Sequence, residues 1–240
     1  KGTGRAIAIA ISKEGANTII TSRNIEEAKS VADEIRESYG GNPLAIQADL
    51  THQDEVKKMF GEIINNYGTI DILINNAGYP MIDELWNKTL PEVSDQEFRK
   101  VMDVDLMGSI RCVREVIPIM VKQKQGIIVN VSSTPAIAGY DKGAPYSVAK
   151  AGLIGLTKHI AYEYGSYNIR ANTIALGNIK TPSTYDRLTK EMKLRMAEES
   201  PMRKWGEPEN VAGVCVFLSS DSSSFVNGQT IVIDGGTVMH

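Results

Sequence analysis

Tyr146-Ser147-Val148-Ala149-Lys150 sets a phenol and an ammonium four residues apart. On a helix these two positions share one face. A phenol ordinarily titrates near ~10, and a neighbouring ammonium favours its charged form. Such a pair could therefore give and take a proton near neutrality. Tyr-x-x-x-Lys also occurs on ordinary helix surfaces, so its meaning depends on its setting. Upstream, Ile127-Ile128-Val129-Asn130-Val131 reads as a buried strand that delivers Ser132-Ser133 at its C-terminal end. Open α/β sheets hold their ligands at such strand ends.

A second group of residues suits phosphate. Gly2-Thr3-Gly4 opens a helical stretch and could present backbone N–H groups and the positive helix end to a pyrophosphate. Two glycines before a helix can equally make a plain turn. The next β-prone run ends in Thr21-Ser22-Arg23-Asn24, where folds that prefer NAD place a carboxylate for the ribose hydroxyls. Here the charge is positive, so Arg23 and Lys1 could clamp a 2′-phosphate, unless both are solvated surface cations.

The elements that would position these groups alternate. Apolar spacing predicts helices over 4–13, 26–39, 53–67, 95–124 and 144–164, with Pro118 kinking or dividing the fourth. Short β-prone runs predict strands at 17–21, 44–48, 70–74, 126–131, 169–174 and 230–233. Nearly continuous apolar strands between helices indicate a parallel sheet covered on both faces. The chain of 240 residues, 42% hydrophobic, is long enough for one large core, and no linker or repeat divides it. A single α/β domain spanning 1–240 is expected. The Lys-, Arg-, Glu- and Met-rich segment 181–205 breaks the alternation and is a candidate substrate lid.

Composition narrows the function. A net charge of −3 gives no footprint for nucleic acid, and no apolar run is long enough for a membrane helix. His52, His159 and His240 have no metal-ligand spacing. Cys112 and Cys215 read as separate buried thiols in a reducing, cytoplasmic setting. The chain opens on Lys1-Gly2-Thr3-Gly4-Arg5 and runs straight into an Ala/Ile-rich stretch, as though a strand belonged ahead of it.

Taken in order, Gly2-x-Gly4, Asp49-Leu50, Asn75-Asn76-Ala77-Gly78, Ser133, Tyr146-x-x-x-Lys150 and Asp234-Gly235-Gly236 resemble the short-chain dehydrogenase/reductase family over essentially the whole chain. That resemblance implies a Rossmann-like, doubly wound sheet of seven parallel strands whose glycine motif follows the first strand. It implies an NADP(H)-dependent oxidoreductase, with NAD(H) the lesser expectation. It also implies roles. Tyr146 would be the general acid in reduction, Lys150 would hold the nicotinamide ribose and lower the Tyr146 pKa, and Ser133 would bond the substrate carbonyl. Asp49 and Leu50 would meet the adenine, Asn76, Ala77 and Gly78 would pass beneath the adenosine ribose, and Ile179 and Thr181 would hold the carboxamide and phosphates. Lys1, Gly2, Thr3, Gly4 and Arg23 would take the pyrophosphate and 2′-phosphate.

Two positions depart from the pattern. Asp105 stands where the family usually has an Asn that extends a proton relay through water to the Lys. It could hold that water or pair with Lys150. Leu176-Gly177 replaces a usual Pro-Gly, which should loosen the turn. Within the family, Trp205-Gly206-Glu207-Pro208-Glu209, Asn227-Gly228-Gln229-Thr230 and Asp234-Gly235-Gly236 are similar to the tail of 3-oxoacyl-acyl-carrier-protein reductases, though sugar and polyol dehydrogenases share these phrases. An acyl carrier protein is thus a candidate partner, with Arg111, Arg114, Lys122 and Lys124 as docking cations or simply a solvated face. Segment 79–93 is long for a minimal carrier-protein reductase. A non-catalytic nucleotide-binding relative remains the reading from another class. Surplus apolar residues on 95–124 and 144–164 predict a homo-oligomer, a tetramer by resemblance.

Overall fold

A computed structural model describes residues 2–79 and 83–239, the side chain of Asp83 excepted. Six parallel strands are present: β1 (Ile19–Ser22), β2 (Leu44–Gln47), β3 (Ile72–Asn75), β4 (Gly126–Ser133), β5 (Ile169–Leu176) and β6 (Thr230–Ile233). Helices α1 (Gly2–Lys13), α2 (Ile25–Tyr39), α3 (Gln53–Tyr67), α4 (Asp83–Trp86), α5 (Asp95–Met102), α6 (Gly108–Gln123), α7 (Pro135–Ala138), α8 (Ala144–Tyr164), α9 (Lys190–Glu198) and α10 (Pro208–Ser219) connect or cover them. Two cores result, one on each face. Val56, Phe60, Val116, Met120 and Ile160 of α3, α6 and α8 pack on one side, and Ile7, Ile11, Val211, Cys215 and Leu218 of α1 and α10 on the other. The doubly wound α/β architecture agrees with the expected one.

The sheet is in two parts. β1 pairs with β2, and β3, β4, β5 and β6 pair in that order, giving six strands where the resemblance implied seven. Among the described residues no ladder joins β1 to β3. Between them lies a cavity of about 620 Å³, lined by residues 18–22 of one strand and 71–75 of the other, with Ile7, Ile11, Val31 and Phe60 around it. Its walls include strand edges of β1 and β3 that do not pair with each other, together with apolar side chains. It is not a substrate pocket, since neither Ser133, Tyr146 nor Lys150 lines it.

Two other expectations are corrected. The stretch 95–124 is divided at Asp103–Met107 by a π-helical turn, and α6 runs through Pro118 without a break. Pro118 is exposed, so water can satisfy the Arg114 carbonyl that a proline leaves without its N–H partner. Helix α10 was not anticipated. It is apolar on most sides because it packs against α1 and also touches β4 and β5. No helix among the described residues is long and apolar enough to cross a membrane. Cys112 and Cys215 are separate free thiols, both pushed up to about 12 by burial.

Candidate active site

The site is built from backbone outward at the C-terminal ends of β3, β4 and β5. β4 pairs with β5 through to Ser133↔Leu176, and Ser132 Oγ donates to the Lys150 carbonyl at 2.9 Å. That bond locks the strand end bearing Ser133 to the helix bearing Tyr146 and Lys150. Beneath it, buried side chains tie three strands to α8. Asn75 Nδ2 donates to Asn130 Oδ1 (2.8 Å), while Asn130 Nδ2 and Thr173 Oγ1 each donate to Thr157 Oγ1 (2.7 Å). Thr157 in turn donates to the Leu153 carbonyl at 2.8 Å. Every link is buried and paired, which fixes α8 on the sheet.

Lys150 is buried, and its Nζ lies 3.0 Å from Asp105 Oδ1, donates to the Val131 carbonyl at 3.1 Å and stands 5.5 Å from the centre of the Tyr146 ring. Asp105 is 0% exposed. Its Oδ2 accepts the Tyr79 N–H at 2.9 Å, whereas Oδ1 meets the ammonium as an ion contact outside good hydrogen-bond alignment. Of the two roles open to Asp105, the geometry gives the pairing with Lys150.

The π-helical turn sets this up by swinging Asp105 inward, with Gly108 N–H reaching back to the Asp103 carbonyl. Gly152 lets α8 come close. A Cβ there would meet Leu106 Cδ2 at 2.7 Å. Gly78 lies over the ion pair, where a Cβ would meet Asp105 Oδ1 at 3.0 Å and Lys150 Nζ at 3.7 Å.

Glycine contacts also trace the candidate cofactor groove. Gly2, Thr3 and Gly4 form the first turn of α1, with Gly2 at φ +64°. A Cβ on Gly2 would touch Thr181 at 3.5 Å, and one on Gly4 would meet Asn76 Nδ2 at 2.7 Å. The turn, the Asn76-Ala77-Gly78 segment and Thr181 are therefore neighbours, although they are far apart in sequence. Buried Ile179 bridges to Gly206 beside them. Glycines beside a helix N-terminus are a setting that could hold a dinucleotide's phosphates.

At the other end, Leu50 lies against Gly108, and its carbonyl accepts Arg111 Nη1 at 3.0 Å. Burial pushes the Asp49 carboxyl up, but hydrogen bonds from Thr51 and the charges of His52 and Arg23 outweigh it and hold the carboxyl below its usual value. Arg23 is exposed after β1 and forms no ion pair among the described residues. Lys1, its expected companion, lies outside the described residues.

Some features differ from expectation. Ser133 Oγ donates to the Leu176 carbonyl at 3.1 Å. That carbonyl also accepts Thr134 N–H at 3.0 Å, and Gly177 N–H bonds Ile233 at 3.0 Å. These bonds continue the β5 ladder through Leu176, where a proline would lack the N–H. Arg111 pairs with Asp103 at 2.7 Å and its side chain is mostly covered, while Arg114, Lys122 and Lys124 are exposed. Sequence reasoning missed Trp86, whose ring meets that of Tyr146 edge-on, centroids 4.7 Å apart at 67°. The long segment 79–93 was its only signal.

The family model described as Enoyl-(Acyl carrier protein) reductase, adh_short_C2, matches residues 1–238. The chain belongs to the short-chain dehydrogenase/reductase family. It is 36% identical over 240 residues to the 3-oxoacyl-[acyl-carrier-protein] reductase FabG of Staphylococcus aureus, covering 100% of this chain and 95% of that protein. It is 37% identical over 236 residues to the FabG of Aquifex aeolicus, covering 98% and 93%. Among solved structures, a provisionally assigned gluconate dehydrogenase from Agrobacterium tumefaciens superposes with a TM-score of 0.92 at 31% identity, covering 100% and 93%. The chain is accordingly an oxidoreductase of this family, and the family implies a nicotinamide cofactor.

Proposed function

We propose that this oxidoreductase reduces a ketone to a secondary alcohol with NADPH, and that 3-oxoacyl thioesters on an acyl carrier protein are its first substrate class. What supports this reading is the meeting of β4 and α8, where Ser132, next to Ser133, bonds the Lys150 carbonyl and Lys150 Nζ stands 5.5 Å from the Tyr146 ring. A bound reduced nicotinamide supplies the hydride. Ser133 turns its hydroxyl from Leu176 to the substrate oxygen, and Tyr146 donates the proton that oxygen needs. Lys150 holds a ribose hydroxyl with an N–H left over from Val131 and Asp105, since an ammonium has three. Asp49, Leu50 and Asn76 to Gly78 hold the adenosine, and Gly2 to Gly4, Ile179 and Thr181 hold the phosphates and carboxamide. The whole chain acts as one catalytic domain, with 181–205 as its lid.

Arg23 supports NADPH as the cofactor. Arg23→Ala should weaken NADPH binding by about 1–3 kcal/mol, the worth of a charge-assisted bond, and leave NADH nearly unchanged. Titration calorimetry with both cofactors checks this, and equal loss for both would remove Arg23 from the 2′-phosphate. Asp105→Asn should preserve or raise turnover, because Lys150 keeps an oxygen ligand without a neutralising charge. Steady-state kinetics showing a collapse would give the carboxylate a role of its own.

The second reading, a sugar or polyol dehydrogenase, is favoured by the Agrobacterium neighbour and by the long 79–93 segment. One panel of 3-oxoacyl thioesters, sugars and secondary alcohols with both cofactors decides between them. The carrier-protein reading requires the thioesters to lead. We also infer a cytoplasmic homo-oligomer, a tetramer by family likeness. The free thiols support the compartment. Tyr162 on α8, Phe217 on α10 and the 103%-exposed Phe225 support further subunits, since they are large apolar groups left in water.

A further inference from the structure

The Tyr146 hydroxyl makes no hydrogen bond among the described residues, so its ring must be aimed by what packs around it. Lys150 Nζ stands 5.5 Å from the ring centre, and the Trp86 ring meets it edge-to-face. Trp86 is itself pinned. The turn at Gly143, φ +66°, lies against it, since a Cβ there would sit at van der Waals distance from the indole, 3.4 Å. Gly143 N–H also bonds the Lys88 carbonyl at 3.2 Å. The Lys88 ammonium donates to Glu97 at 2.6 Å, and that bond, with those from Ser94, holds the Glu97 carboxyl down to about 2. Tyr140 extends the aromatic surface, its ring 6.4 Å from that of Trp86.

We propose that Trp86 is a positioning residue for Tyr146, and that the strap from α4 through Lys88 to Glu97 exists to hold the indole against the phenol. Aromatic rings prefer this tilted contact, which restricts the phenol's rotation without blocking its hydroxyl. A small error in the aim of a proton donor can cost up to about a hundredfold in rate. The inference rests on the reading of Tyr146 as proton donor, and its test separates the two.

Trp86→Ala should lower kcat by about ten- to a hundredfold with KM for a small β-ketoester and the Kd for NADPH within about threefold. Trp86→Phe should recover most of kcat, and Lys88→Met, which frees the strap but keeps the indole, should give an intermediate loss. In ¹³C-tyrosine NMR, the Tyr146 ring signal, identified by its absence in Tyr146→Phe, should show faster ring motion in Trp86→Ala and recover in Trp86→Phe. An unchanged kcat in a folded Trp86→Ala, or a rise in KM alone, would overturn the proposal, as would an unaltered Tyr146 signal. If the unsubstituted protein reduces no ketone yet its Tyr146 ring loosens in Trp86→Ala, the contact stands and the reading of Tyr146 falls.

Discussion

Tyr146→Phe should abolish ketone reduction, with a loss of about 10²–10⁴-fold from the missing proton donor. The ring contacts that hold residue 146 survive this substitution. Phenylalanine can keep the edge contact with Trp86 and the approach of Lys150, and no described hydrogen bond depends on the hydroxyl. The Gly2–Thr181 and Gly4–Asn76 contacts of the cofactor groove are untouched. NADPH should therefore bind the variant within about twofold of the original affinity while turnover disappears, because an interaction made only in the transition state has been removed. Fluorescence titration of NADPH and initial rates on the same preparation check both halves. Ordinary turnover in Tyr146→Phe would move the proton donor elsewhere.

The second large effect falls on stability as well as rate. Lys150→Met should stop catalysis and also strand the Asp105 carboxylate, which is 0% exposed. Removing one partner of a buried ion pair costs about 3–5 kcal/mol, since the remaining charge has lost its compensation. In a chain of this size that lowers Tm by on the order of 10 °C. The double variant Asp105→Asn/Lys150→Met carries no buried charge here. It should recover most of the lost stability and none of the activity. Thermal denaturation of the single and double variants measures the coupling directly. A Lys150→Met protein as stable as the original would show that the pair is not held as two charges.

Much of this site was legible because its residues occupy backbone positions that topology dictates. Ile127 to Val131, Ile169 to Ile174 and Thr230 to Ile233 are β-branched apolar runs, and all three are strands. Ser133, Tyr146 and Lys150 then follow from the strand end and the helical spacing. The π-helical turn was not legible, because nothing in Asp103-Val104-Asp105-Leu106-Met107 distinguishes an inserted π turn from an α turn until Leu106 meets Gly152. Helix α10 hid for the opposite reason. Surrounded by α1 and the sheet, it shows little helical alternation of polar and apolar residues. Trp86 depends on a contact between the short helix α4 and α8, sixty residues apart in sequence, and beyond the length of segment 79–93 the pattern along the chain carries no trace of it.

In the proposed reaction this site delivers a hydride to a ketone carbon while Tyr146 protonates its oxygen. Incubation with NADPH deuterated at nicotinamide C4 and a β-ketoester, followed by mass and NMR analysis of the product, tests it most directly. The expected result is a β-hydroxyester with deuterium on the carbinol carbon, absent when Tyr146 is Phe. Tight NADPH binding with no transfer to any carbonyl would contradict the account, as would transfer confined to the carbon–carbon double bond of an enoyl thioester.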